Sequence, residues 1–237
     1  MAFTKEELDQ IAGNFTEEVG FEVDLQKYKI AEISKFIAGE SMLDVGCGVG
    51  AMTKAYEKRF KRIVGIDGSE VKISKALNWN SAPNIEYILT FFEDYKPKEK
   101  FDFIVSTNVL EHVDDSVEFL KNIKSWLNPG GRVVMTVPNA LGLHKRIGLK
   151  MGVINDLFQL TEADYGKGHK RIYDRAKLNS DFEQAGYSVV YLGGILLKPL
   201  SHKQMETWDK KIVDALYEIG LELPDYCSSL IIVGTIS

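Results

Sequence analysis

The chain predicts an α/β fold, a parallel sheet with helices on both faces, and three observations carry that reading. Short apolar runs suited to buried strands recur at 41–46, 62–67, 84–89, 101–107 and 132–137. Helical stretches separate them, and strands that alternate with helices of this length pair in parallel through right-handed crossovers. The first run opens onto glycines at 46, 48 and 50, a strand-to-helix turn where a ligand can lie against bare backbone.

The 237 residues, 45% of them apolar, suffice for one full core, so a single domain over 1–237 is expected. A net charge of −5 offers nothing global to a polyanion and argues against a nucleic-acid partner. The start, Met-Ala-Phe-Thr-Lys-Glu-Glu, has no basic stretch leading into an apolar one, and no apolar run nears the ~20 residues of a membrane span. No membrane association and a cytoplasmic location are therefore expected. Cys47 and Cys227 are too few for a disulfide framework and lack metal-ligand spacing; Cys47 reads as a small packing residue.

Residues 4 to 38 read as helical with a break near Gly20, and Ile11, Phe15, Val23, Tyr28 and Ile33 are among the apolar positions. Met42-Leu-Asp-Val-Gly-Cys-Gly-Val-Gly50 follows as strand and turn, then a helix to about Phe60. Gly46-Cys-Gly48-Val-Gly50-Ala51 fits the dinucleotide fingerprint G-x-G-x-x-A, with Asp67 about twenty residues on. Asp44 weighs against that ligand: an anion two residues before the first glycine repels a pyrophosphate and suits a ligand with a positive end, such as S-adenosylmethionine.

Arg62-Ile-Val-Gly-Ile-Asp67 is the second strand, with Asp67 at its carboxyl end, placed to accept from ribose hydroxyls. A helix over 70–80 and a third strand over 84–89 lead to the loop Thr90-Phe-Phe-Glu-Asp-Tyr95. The fourth strand, 101–107, carries Asn108 to His112 at its edge; Asp114 or Asp115 opens the next helix, and Leu127-Asn-Pro-Gly-Gly131 turns into the fifth strand. Residues 140–172 are Gly-rich and basic, with an amphipathic stretch over 143–158, and read as a lid over an acceptor pocket. A helix over 174–185 and strands over 187–192 and 229–235 complete the chain. The helical insertion at 202–224 is longer than a hairpin needs and reads as a second pocket wall or a homodimer contact.

Leu43-Asp-Val-Gly-Cys-Gly-Val-Gly50, Gly65-Ile-Asp67, Phe101-Asp-Phe-Ile-Val-Ser-Thr-Asn-Val-Leu-Glu-His-Val113 and Leu127-Asn-Pro-Gly-Gly-Arg132 occur in an order and spacing that resembles the class I S-adenosylmethionine-dependent methyltransferases. The resemblance covers 40–139. It implies a three-layer, doubly wound, seven-stranded sheet, mostly parallel with an antiparallel C-terminal strand. It also implies S-adenosylmethionine as cofactor, S-adenosylhomocysteine as product, and a small-molecule acceptor. The matching positions imply cofactor contacts from Asp44, Gly46, Cys47, Gly48 and Gly50, from Asp67 and Gly68, from Phe92 and Glu93, and from Asn108 and Val109. Relatives carry an acid just ahead of the pair matching Glu93-Asp94, where this chain has Phe91 and Phe92; an aromatic face for adenine is implied, or a core role for one ring. The N-terminal helical segment, 1–40, is implied to cap the cofactor, with Phe15, Phe21 and Tyr28 either lining the site or joining the core.

Methyl transfer is an in-line displacement, so the protein mainly holds acceptor and methyl group collinear, and a hydroxyl acceptor also needs a base. His169 sits in the glycine-flanked Gly166-Lys-Gly-His-Lys-Arg-Ile-Tyr173, and relatives carry a similar pair close to the acceptor. Glu111-His112 follows the fourth strand, where His112 is either a base titrating near neutrality or a wall of the cofactor pocket. Tyr173 is a further candidate, and His144 reads as solvated on the lid. Quinone-type relatives add an acid three residues before the Glu and hold a divalent metal; Asn108 stands there, so no metal is expected.

Lys145, Arg146, Lys150, Lys167, Lys170, Arg171, Arg175 and Lys177 face four acids, Asp156, Glu162, Asp164 and Asp174, which favours an anionic acceptor over a merely solvated face. Lys170 and Arg171 are expected to serve acceptor affinity and to leave cofactor affinity alone. Oxygen is favoured over nitrogen as the acceptor atom. Against a nucleic-acid methyltransferase stand the missing Asn/Asp-Pro-Pro-Tyr/Phe motif and the lack of a catalytic cysteine; Asp44 opposes a nicotinamide-dependent oxidoreductase. An inactive cofactor-binding protein stays open, since fold does not fix function.

Overall fold

β1 (Ser41–Val45), β2 (Arg62–Asp67), β3 (Ile85–Leu89), β4 (Phe101–Thr107), β5 (Leu127–Pro138), β6 (Ser188–Ile195) and β7 (Ser229–Thr235) form one sheet in the order β3-β2-β1-β4-β5-β7-β6. The coordinates are a computed structural model that describes residues 4–12 and 20–236. The first five strands run parallel, and β7 is antiparallel to both β5 and β6. That is the seven-stranded, mostly parallel arrangement expected from the sequence.

The inner strands are apolar on both faces because both are covered. Neighbours in sequence point to opposite sides: Val64, Ile104, Val133 and Ile232 enter one core, Ile63, Phe103, Val134 and Ile231 the other. The helices are α1 (Lys5–Ala12), α2 (Phe21–Ser34), α3 (Ala51–Ala55), α4 (Glu70–Trp79), α5 (Ser116–Ser125), α6 (Leu143–Lys150), α7 (Glu162–Gly166), α8 (Arg175–Gln184), α9 (His202–Met205) and α10 (Lys210–Glu222). Phe119 and Ile123 of α5 and Leu178 and Phe182 of α8 fill the first core; Leu25 and Ile33 of α2, Met52 of α3 and Val213 of α10 fill the second. Side-chain caps start the helices where the sequence offers them: Ser69 for α4, Asp115 for α5 and Asp174 for α8.

Several elements differ from expectation. The helix after the glycine turn stops at Ala55 and a single 3-10 turn, Glu57–Arg59, finishes the crossover. The lid holds two short helices instead of one amphipathic stretch, with Met151, Val153 and Phe158 exposed between them. Phe21 and Tyr28 belong to the second core; Tyr28 stacks on Tyr217 of α10 at 4.5 Å and donates to Asp214 at 2.5 Å. Phe15 lies outside the described residues. The insertion at 202–224 thus packs its long helix on α2. Among the described residues no helix is long and apolar enough to cross a membrane.

Candidate active site

Strand order reverses between β1 and β4, and ligands of open α/β sheets bind at the carboxyl ends of strands at such a point. A cleft opens there, walled by the turn after β1, the start of α4 and the exits of β3 and β4. Its floor is the turn after β1. Gly46 stands at φ +74, and a Cβ on it would come 2.4 Å from Val109 Cγ2, so only glycine closes this corner. The N–H groups of Gly46 and Cys47 both donate to Ile66 O, at 2.8 and 3.0 Å, which ties the turn to β2.

Asp67 completes the floor. Its Oδ2 accepts from Gly48 N–H and its Oδ1 from Ser69 N–H, each at 2.9 Å. Each carboxylate oxygen keeps further acceptor capacity on the cleft side. Gly46, Asp67, Gly68, Phe92, Glu93, Asn108 and Val109 all line the cleft, as does Phe91. Phe92 lines the cleft and also packs on the core, its ring meeting Phe119 edge-on at 4.7 Å. Burial raises the Glu93 carboxyl. Asn108 adopts φ +55, with its N–H donating to Thr136 O at 2.8 Å.

Asp44, Cys47, Gly48 and Gly50 sit behind this surface. Asp44 is buried and accepts from the Thr53 hydroxyl at 2.6 Å, so it braces the turn from beneath. Burial, with the Asp67 and Asp44 carboxylates nearby, pushes the Cys47 thiol well up and leaves it a packing residue. The N-terminal segment does reach the cleft, through Leu8 and Ile11 of α1, in place of Phe21 and Tyr28. Asp9 accepts from Ser69 Oγ at 2.5 Å and Lys5 pairs with Glu70, which seats α1 on the start of α4.

Glu111, His112 and His169 come together beside the cleft. His112 lines it; the other two lie against His112. The His112 and His169 rings meet edge-on at 4.9 Å, and His112 Nε2 is 3.9 Å from Glu111 Oε1. Glu111 is fully buried with no hydrogen-bond partner on either oxygen; burial pushes its carboxyl up to about 7, against the opposing pull of His169. Burial drives His112 down to about 4, and its Nδ1 lies 3.1 Å from Gly168 O. The imidazole is therefore neutral at neutral pH, with the proton on Nδ1 and the lone pair on Nε2. Ligand atoms of the three residues lie within 4.8 Å of one another, close enough that they could hold a cation.

Two other candidates belong elsewhere. Tyr173 is fully buried and its hydroxyl donates to Asp181 at 3.2 Å, a core role. His144 is not solvated: its Nδ1 is buried without a partner, and desolvation lowers the ring to about 3, because α6 lies against the segment carrying Lys198. The lid cations are largely engaged within the chain. Lys170 pairs with Asp114 at 2.6 Å, while Arg171 donates to Leu110 O at 3.1 Å and Asp114 O at 2.6 Å. Arg146 donates to Leu141 O, Arg175 pairs with Asp225, Lys177 with Asp181, and Lys145 lies 4.0 Å from Asp164. Of the two residues expected to serve acceptor affinity, Lys170 lines the cleft, and Arg171 clamps the 168–171 strap to the exit of β4.

Asp164 was missed by the motif reading. Its signals were the Thr161-x-x-Asp164 capping pattern and the glycine at 168.

A family model described as "Methyltransferase domain" matches residues 21–192. The chain is similar to the ubiquinone biosynthesis O-methyltransferase of Bradyrhizobium sp. (strain ORS 278), 32% identical over 105 residues that cover 44% of this chain and 42% of that protein. The match thus spans less than half of that relative's length. Two solved structures share the fold. The S-adenosylmethionine dependent methyltransferase from Mesorhizobium loti gives a TM-score of 0.66 at 18% identity, covering 90% of this chain and 100% of that one. The N-methyltransferase NodS from Bradyrhizobium japonicum WM9, in complex with S-adenosyl-l-homocysteine, gives 0.61 at 16%, covering 97% and 96%. The chain belongs to the methyltransferase-domain family, among the class I S-adenosylmethionine-dependent methyltransferases.

Proposed function

We propose that this chain methylates a hydroxyl of a small-molecule acceptor, with Glu111, His112 and His169 receiving the proton. The observation that carries the reading is the meeting of these three titratable side chains, one a buried carboxylate without a partner, beside the cleft. The cleft suits the cofactor on its own chemistry. Leu8, Ile11, Phe91 and Phe92 offer an apolar and aromatic rim for a base, Asp67 has acceptor capacity for ribose hydroxyls, and Gly46, Asn108 and Val109 would border the methionine end. Asp44 adds a negative field from beneath the turn.

S-adenosylmethionine supplies an electrophilic methyl carbon on a sulfonium. The chain's part is to hold the acceptor oxygen in line and to take its proton. His112, neutral and fixed through Gly168, lines the cleft; His169 and Glu111 stand next to it as further proton acceptors. The named O-methyltransferase relative supports an oxygen acceptor. A negative charge on the acceptor has narrower support, since Lys145, Arg146, Lys170, Arg171, Arg175 and Lys177 have partners within the chain. A second reading, an amine acceptor, is favoured by the unpartnered Glu111 carboxylate, which would suit an ammonium group.

The test is a panel of phenols, catechols, hydroxy acids and primary amines with methyl-labelled S-adenosylmethionine. Label in a hydroxyl compound, lost by about 100-fold or more in His169→Gln at unchanged S-adenosylhomocysteine affinity, supports the proposal. Label only in amines, or a fully active His169→Gln, overturns it.

A further inference from the structure

We infer that Asp164 is the positioning residue of His169, holding the imidazole through Nδ1 so that Nε2 is the nitrogen that accepts the acceptor's proton. This deepens the proposed function and rests on His169 having that role.

The arrangement is built by a five-residue helix and its two ends. At the start of α7 the N–H and the hydroxyl of Thr161 both donate to Asp164 Oδ2, at 2.9 and 2.7 Å, while Asp164 N–H donates back to Thr161 Oγ1 at 3.2 Å. This capping box holds the Asp164 carboxylate by one oxygen and leaves the other free to serve. At the end of α7, Gly168 stands at φ +78. The N–H of His169 donates to Asp164 O at 3.0 Å and that of Gly168 to Tyr165 O at 2.9 Å, the bond pair made by a left-handed glycine closing a helix. That closure folds residue 169 back over residue 164. His169 Nδ1 consequently lies 3.1 Å from Asp164 Oδ1, the oxygen Thr161 does not use.

The contact is at ion-pair distance and does not meet full hydrogen-bond alignment. Burial raises the Asp164 carboxyl, but the His169 contact and the Thr161 bonds outweigh it and hold the group below the usual carboxylate range, so it is an anion at neutral pH. Lys145, 4.0 Å from Oδ2, faces the opposite side of the same carboxylate. A carboxylate at Nδ1 selects the tautomer with its proton there and stabilises the imidazolium formed when Nε2 takes a second one. The Gly168 carbonyl that meets His112 Nδ1 belongs to the same turn, so one glycine orients both rings.

The experiment reads the His169 ring nitrogens by ¹⁵N NMR in the full chain saturated with S-adenosylhomocysteine, which needs no acceptor. Wild type is expected to carry the proton on Nδ1. Asp164→Asn should shift the population to the Nε2-protonated tautomer, and with the acceptor found in the panel should lower kcat about tenfold or more while KM stays within about twofold. Should Asp164→Asn fail to fold, Thr161→Val, which frees the carboxylate, is expected to mix the tautomers. An unchanged tautomer in the folded variant overturns the inference alone if His169→Gln is inactive. A fully active His169→Gln overturns the function and the inference together.

Discussion

The N–H of Gly48 donates to Asp67 Oδ2 at 2.9 Å, so the glycine turn after β1 and the acid that ends β2 form one unit. Ser69 N–H holds the other oxygen at 2.9 Å. Asp67→Ala removes the acceptor for both N–H groups and for any ligand hydroxyl. Hydrogen bonds to a charged group contribute ~1.5–3 kcal/mol, so the Kd for S-adenosylhomocysteine should rise at least about tenfold by calorimetry. An unchanged Kd would remove Asp67 from the cofactor site.

Gly46 and Gly130 share φ +74 but not surroundings. A Cβ on Gly46 meets Val109 Cγ2 at 2.4 Å, whereas one on Gly130 meets nothing within 4 Å. Both alanine variants carry the left-handed strain of ~1–2 kcal/mol. Gly46→Ala should in addition abolish measurable cofactor binding, and Gly130→Ala should leave it intact, as titration of the two side by side will show.

Glu111 gives a pH signature in stability. Its carboxyl is raised from 4.5 to about 7 in the folded chain. Between those values the folded state keeps a proton that the unfolded state has released, so stability is present below the lower value and lost as pH rises through the higher. Glu111→Gln cannot lose that proton. Its Tm relative to wild type should climb by roughly 5 °C between pH 4.5 and 7.5, as differential scanning fluorimetry can follow. A pH-independent difference would mean that nearby cations keep Glu111 ionised throughout.

Arg171 donates to the carbonyls of Leu110 and Asp114, and Lys170 pairs with Asp114 at the cleft. Arg171→Ala should therefore lower Tm by a few degrees and weaken S-adenosylhomocysteine by about threefold or more, since each lost bond to a charged donor costs ~1.5–3 kcal/mol. An effect on the acceptor KM alone would restore Arg171 to acceptor binding.

Leu8 lines the cleft from a helix that sits on the surface of α4. Leu8→Ser should raise the S-adenosylhomocysteine Kd about tenfold, from ~1.5 kcal/mol of lost apolar contact, with Tm nearly unchanged. A fall in Tm at constant affinity would make α1 structural instead.

The sequence by itself determined the sheet, its glycine turn and the acids at its strand ends. Alternating apolar runs and a glycine needing φ above zero are local requirements, met wherever the chain goes next. It also named Glu111-His112 and His169 as separate candidates, and the tertiary structure brings them together. Only the tertiary structure decided which way polar groups turn. Asp44 faces Thr53 beneath the turn, His144 turns a buried Nδ1 inward from the lid helix, and Arg171 is engaged by carbonyls about sixty residues away in sequence. The cleft is rimmed by Leu8 and Ile11 because α1 settles on α4, not because of any motif. A side chain's periodicity shows its face on its own element; its partner comes from an element packed opposite, and long-range packing alone selects that element.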